Sequence, residues 1–92
     1  MKLKNKIAII TGGGQGIGEA IATALAQEGA TPVIADINLA NAQTVATQLN
    51  GHAIKLDVTD PENVTAMVIE TIDKYGHIDT LVNNAGIGQN RP

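Results

Sequence analysis

Five of the seven residues from 12 to 18 are glycine, and they stand between a β-branched run and an amphipathic repeat. Before them, residues 6–11 read KIAIIT, the pattern of a short buried strand. After them, Ile17, Ala20, Ile21, Ala24 and Leu25 recur at three and four, the spacing of one helix face. A strand running through glycines into a helix is a phosphate-binding device. The glycines let the backbone approach an anion, and the helix start offers free N–H groups and a positive dipole end.

The rest of the chain repeats the alternation. Gly29 is placed to end the first helix, and Thr31–Asp36 reads as a second strand, with Pro32 tolerated because it sits at the start. Leu39, Ala42, Val45, Ala46 and Leu49 give a second helical stripe, with Asn38 as its cap and Gly51 as its stop. Residues 53–56 form a third strand. The third helix starts at Thr59 with Glu62 as a capping box, or at Asp60 with Pro61 in the first helical position. Its stripe is Val64, Val68, Ile69 and Ile72, and Gly76 ends it before a fourth strand at Thr80–Asn83. The order β-α-β-α-β-α-β predicts an α/β fold: part of a Rossmann-like, doubly wound parallel sheet with right-handed crossovers.

Composition narrows the function classes. A chain of 92 residues makes one small domain, which buries roughly 60–65% of its unfolded surface. Tyr75 is the only aromatic residue, so the core is built from Ile, Val, Leu and Ala. There is no cysteine, hence no disulfide and no thiolate metal site, which fits a cytoplasmic setting. No carboxylate spacing suggests a metal. The net charge is −3, and Lys2, Lys4 and Lys6 read as a solvated strand edge; no basic stripe with aromatics points to nucleic acid. The apolar run at 7–10 is too short for a signal peptide, and no segment reaches the ~20 apolar residues of a membrane span.

The common dinucleotide fingerprint, G-x-G-x-x-G, fails here. Opening it at Gly12 and Gly14 puts Ile17 in the third place, and opening it at Gly16 and Gly18 puts Ile21 there. A Walker A loop fails too, because no Lys-Ser/Thr pair follows. What is present is Thr-Gly-x-x-x-Gly-x-Gly, as Thr11, Gly12, Gly16 and Gly18. Asp36 ends the second strand, Asp57-Val58 follows the third, and Asn83-Asn84-Ala85-Gly86 closes the fourth. In these motifs and their order the chain resembles the short-chain dehydrogenase/reductase family over essentially all its length.

The resemblance implies a dinucleotide cofactor, and residue chemistry agrees. Gly12 permits the exit from the first strand, Gly16 the approach of phosphates, and Gly18 close helix–strand packing, while Gln15 and Ile17 offer contacts beside them. Asp36 lies eighteen positions beyond Gly18, near the ~20 expected of the acid that binds an adenosine ribose. Its carboxylate would repel a 2′-phosphate, and Gln15 and Ile37 supply no cation, so NAD is expected rather than NADP. Asp57 resembles the family's adenine-side carboxylate, with Val58 lining the pocket; a plain turn residue before Thr59 is the other reading. Asn84, Ala85 and Gly86 resemble the segment passing the cofactor's ribose side. Asn83 reads equally well as a tie between strands.

The family's hydride transfer uses a Ser and a Tyr-x-x-x-Lys, with the Tyr as general acid/base. This sequence has no Ser, and the fourth residue after Tyr75 is Asp79. No catalytic residue is therefore assigned. The 92 residues are expected to be the N-terminal portion of a dinucleotide-binding domain without its catalytic portion. Alternatives are a non-enzymatic NAD-binding module, one half of a two-chain enzyme, or a scaffold without cofactor affinity. His52 and His77 are expected to cap helix ends, Glu70 and Asp73 to face solvent, and Tyr75 to serve packing. The fourth strand, lacking a further neighbour, is expected to self-associate or accept a complementing chain.

Overall fold

The computed structural model describes residues 2–85. Four strands and three helices alternate: β1 (Ile7–Thr11), α1 (Gly16–Gln27), β2 (Thr31–Asp36), α2 (Leu39–Leu49), β3 (His52–Lys55), α3 (Pro61–Tyr75) and β4 (Thr80–Asn83). All pairings are parallel, and the sheet order is β3-β2-β1-β4. The chain winds from β1 outward to β3, then crosses back to place β4 on the other side of β1. The expected α/β architecture is therefore present. Among the described residues, no helix is long and apolar enough to cross a membrane.

Burial on both faces explains why the strands read as continuous apolar runs. On one face Ile7, Ile9, Val33, Ala35, Ile54 and Leu56 pack with Met67 of α3. On the other, Ala8, Ile10 and Ile34 pack with Ala22 of α1 and Ala42, Val45 and Ala46 of α2. Pro32 is buried in β2 at no cost to the ladder. The Thr31 N–H donates to Lys6 O, so by alternation the missing donor of Pro32 faces β3, whose pairing begins only at Val33 with His52.

Helix ends follow the sequence signals closely. Asn38 caps α2 by accepting the Asn41 N–H at 3.0 Å. The open choice at α3 resolves to Asp60, which accepts the Glu62 N–H at 3.0 Å with Pro61 in the first turn. Gly76, at φ 88°, ends α3. At the end of α2 the left-handed residue is Asn50, not Gly51. β3 begins one residue before the expected 53–56 span, at His52.

The helix faces differ from the apolar stripes. In α1 the buried line runs through Gly18 and Ala22, while Ile17 is 67% exposed. A helix laid this close to β1 has room there only for its smallest residues. In α3 the buried line is Met67 and Thr71, flanked by Val64, Val68 and Tyr75, and Ile69 and Ile72 are 56% and 45% exposed. With that rotation, His52 Nε2 of β3 lies 2.6 Å from Glu70 Oε2. Glu70 thus reaches β3 from a solvated face, as expected: its side chain is 52% exposed, and Asp73 is exposed as well. His52 bonds a helix side chain instead of capping carbonyls, and Ile72 turns to the flank away from β3.

His77 is likewise no helix cap. Its Nε2 lies 2.9 Å from Asp79 Oδ2 and 3.3 Å from Asn5 O. Asp79 opens the β1–β4 ladder with both main chain and side chain: its N–H donates to Ile7 O at 2.9 Å, and its Oδ2 accepts the Ile7 N–H at 2.7 Å. That amide, aided by His77 and Lys6, holds the Asp79 carboxyl below the usual carboxylate range. A folded pKa below the unfolded one contributes stability above the unfolded value, ~3.9, that is lost as pH falls through the folded pKa. Asp79→Asn should therefore lower the Tm at neutral pH and flatten its fall below about pH 4. Thermal melts across that acid range check this; parallel curves for the two proteins would refute it.

Candidate functional site

Because every strand is parallel, all four C-terminal ends lie along one edge of the sheet, the edge where open α/β sheets bind ligands. The order reverses between β1 and β4, and the sequence motifs gather around that switch point. The glycine turn leaves β1, Asp36 ends β2, Asp57 and Val58 follow β3, and Asn84 and Ala85 follow β4.

The glycine turn is shaped by two constraints. Gly12 adopts φ 66°, a left-handed conformation that lets the chain turn out of β1, and its N–H donates to Ala35 O at 2.7 Å. At Gly18, a Cβ would collide with the Gly12 carbonyl oxygen and lie 2.8 Å from Asn84 Nδ2. The helix start is thereby pressed against the strand end. Gly16, also left-handed at φ 61°, has nothing among the described residues within 4 Å on its side-chain side. Gln15 occupies the N-cap position of α1, yet its side chain makes no capping bond; its Oε1 instead accepts from Asn41 Nδ2 at 3.4 Å. The first-turn N–H groups of α1 therefore have no side-chain acceptor from their own cap. Ile17 stands exposed in that turn.

Asp36 stands beside the turn and is already engaged. Its Oδ2 accepts the Gly14 N–H and its Oδ1 the Asn38 N–H, both at 2.9 Å. One carboxylate thus ties the glycine turn to the start of α2. Gln15, Ile37, Asn38 and Asn41 beside it carry no charge, while Lys55 stands opposite it in the β2–β3 ladder. Asp57 forms a turn of its own: its Oδ1 accepts the Thr59 hydroxyl at 2.6 Å and the Thr59 N–H at 2.9 Å. Those two bonds, the hydroxyl first, hold its carboxyl below the ordinary carboxylate range. The turn reading of Asp57 is thus realised in the structure, and half-buried Val58 packs against the core beneath α3.

The segment after β4 is fastened to β1 by a residue to which sequence reasoning gave no task. Thr11 is buried, and its single hydroxyl proton has two acceptors in reach, Asn83 Oδ1 at 3.2 Å and Val82 O at 3.3 Å. The same oxygen accepts the N–H groups of Asn84 at 3.0 Å and Ala85 at 3.1 Å. Asn84 Nδ2 donates to Gly12 O at 3.3 Å. Asn83 therefore serves as a tie between strands, and Asn84 touches the glycine turn itself. The signal for Thr11 was a hydroxyl at the end of an otherwise apolar strand. Asn41 was also missed, although it lies one helical turn after the Asn38 cap. Gly86 lies outside the described residues. Among the described residues, no group of three His, Cys, Asp or Glu could hold a metal.

Comparison with known proteins places this geometry in context. A family model described as short chain dehydrogenase matches residues 6–92. A galactitol 2-dehydrogenase of Agrobacterium fabrum is 48% identical over 89 residues, which is 95% of this chain and 35% of that protein. A 3-oxoacyl-[acyl-carrier-protein] reductase of Thermotoga maritima is 41% identical, covering 95% of this chain and 37% of its own length. Among solved structures, a hydroxysteroid dehydrogenase from Escherichia coli superposes with a TM-score of 0.86 at 38% identity, over 89% of this chain and 36% of the other. A 3-ketoacyl-(acyl-carrier-protein) reductase from Brucella melitensis complexed with NADH gives a TM-score of 0.83 at 37% identity, over 86% of this chain and 33% of the other. The chain thus spans about a third of the length of the proteins it matches.

Proposed function

This chain belongs to the short chain dehydrogenase family, and on that premise we propose that it holds the dinucleotide of an NAD-dependent alcohol/ketone oxidoreductase and catalyses nothing alone. The observation that carries this reading is the start of α1. Its N–H groups lack a capping side chain, and a Cβ at Gly18 would fill the space between helix and strand. A pyrophosphate fits such a place because it is an anion needing N–H donors and close backbone approach. In this reading Gly12, Gln15, Gly16, Ile17 and Gly18 cradle the phosphates. Asp36 takes the adenosine ribose hydroxyls, Asp57 and Val58 border the adenine, and Asn84, Ala85 and Gly86 line the other ribose. The cofactor supplies a hydride acceptor or donor; this chain supplies its binding and orientation.

Asp36 carries the preference for NAD over NADP. Two like charges ~4 Å apart near a protein surface repel by about 4 kcal/mol, and neither Gln15 nor Ile37 supplies a cation to offset a 2′-phosphate; the one lysine nearby, Lys55, stands opposite Asp36 in the β2–β3 ladder. Calorimetric titration should show saturable NAD binding, with NADP weaker by at least about tenfold. Asp36→Ala should lose most of the NAD affinity and also lower the Tm, because the Gly14 and Asn38 N–H groups lose their acceptor. Equal affinity for both dinucleotides would refute the assignment to Asp36, and no heat from either would refute the cofactor site. With no Ser and no Tyr-x-x-x-Lys in the 92 residues, the isolated chain should not reduce NAD with any alcohol.

The β4 edge favours an additional reading, that another copy or a complementing chain adds there. Leu81 shares its sheet face with Ile9 yet is 55% exposed, because on that face α3 covers the core over β1, β2 and β3 and nothing described covers β4. Sedimentation velocity across concentrations should show association, weakened in Leu81→Glu. A monomer at all concentrations would count against it.

A further inference from the structure

We propose that Asn50–Gly51 is a latent self-modification site, which the C-terminal cap of α2 holds closed and which becomes reactive when that cap opens. It is the only Asn–Gly step in the chain, and Asn50 is exposed. The chemistry needs only solvent. The Gly51 backbone nitrogen attacks Asn50 Cγ, a new N–C bond forms, the Cγ–Nδ2 bond breaks, and ammonia leaves with the proton shed by the attacking amide. Water then opens the five-membered imide at either carbonyl, leaving aspartate or isoaspartate. Glycine in second place favours attack because no Cβ crowds the nitrogen, and asparagine is among the thermolabile residues for this reason.

Two features of the fold oppose the attack. Ring closure needs Cβ and the Gly51 nitrogen eclipsed about the Asn50 Cα–C bond, which tetrahedral geometry places at ψ of roughly −120°. Asn50 instead sits in the left-handed region at φ 56° and ψ 37°, which turns that nitrogen away from its own side chain. The nitrogen is also occupied: the Gly51 N–H donates to Ala46 O at 2.8 Å, the bond that closes the last turn of α2. Reaction therefore requires the cap to open, and its rate reports how often that happens.

The product cannot restore the cap. Either outcome puts a carboxylate at the negative end of α2, whose last turn holds no basic residue, and isoaspartate also lengthens the backbone by one methylene. Gly51 has no freedom to compensate, because its Cα is packed against the Pro32 carbonyl oxygen of β2. Opening of α2 is thereby recorded irreversibly at Asn50.

The test is peptide mapping by mass spectrometry of the chain aged at neutral pH, with and without denaturing urea, isoaspartate being scored by enzymatic methylation. Conversion at Asn50 should be at least about tenfold slower in the folded chain, which corresponds to ~1.4 kcal/mol of local opening. Val45→Ala, which loosens the buried face of α2 without touching the pair, should raise the folded-state rate and leave the urea rate unchanged. Asn50→Asp should lower the Tm by about 2–6 °C, and Asn50→Gly should not. Less than tenfold slowing in the folded chain, an Asn50 that survives urea intact, or a Val45→Ala rate equal to the parent's overturns the proposal.

Discussion

Gly18→Ala is expected to abolish saturable NAD binding and to destabilise the fold by about 1–3 kcal/mol, the range for forcing atoms into a packed site. The new methyl would meet the Gly12 carbonyl oxygen, a backbone atom that cannot rotate away as a side chain can, and the Asn84 amide 2.8 Å off. The helix start must then lift from the strand end, separating the N–H groups of α1 from the glycine turn. Calorimetry measures the first effect and a urea midpoint the second. Gly16→Ala is the control for stability alone: among the described residues nothing lies within 4 Å of its Cβ, so its folding cost is only the left-handed backbone, about 1–2 kcal/mol, while its place in the phosphate cradle means that NAD binding weakens too. If Gly18→Ala binds NAD like the parent, close packing at α1 has no part in the site.

The second large effect is expected at Thr11. Thr11→Val keeps the shape but removes the acceptor of two N–H groups and a donor to the β4 side. Leaving such groups unpaired costs about 1–3 kcal/mol, and Asn84 recovers part of this because its N–H also reaches Val82 O at 3.1 Å. Thr11→Ser keeps the hydroxyl and should stay within about 0.5–1 kcal/mol of the parent, the loss of one buried methyl. The local readout is hydrogen exchange: Asn84 and Ala85 should lose protection in Thr11→Val and keep it in Thr11→Ser. Equal exchange in the two variants would mean that the β4 segment is held by other means.

Much of this architecture was legible in the residues. Strand positions followed from β-branched runs, and helix ends from Asn38, Gly76 and, to within the choice between Thr59 and Asp60, the start of α3, because caps are local chemistry between residues two to four apart. The candidate site was legible for a related reason: the glycine spacing and Asp36 belong to adjoining elements of one β-α-β unit. Helix rotation was not. Ile17, Ile69 and Ile72 satisfied the apolar periodicity, yet each is exposed. The room between helix and sheet sets the rotation instead, with Gly18 and Ala22 of α1 and Met67 and Thr71 of α3 on the buried lines.

The sequence alone determined the order of elements, the glycine turn and the acidic residue beside it, because each depends on the conformations open to neighbouring residues. Tertiary structure alone decided that Asp36 also holds Gly14, that Thr11 fastens Asn84 and Ala85, and that Asp79 opens the ladder with β1. The Thr11 and Asp79 bonds join residues more than seventy positions apart, and the Asp36–Gly14 bond spans twenty-two. Such partners meet only when parallel pairing brings distant strand ends to one edge, and no local propensity encodes that meeting.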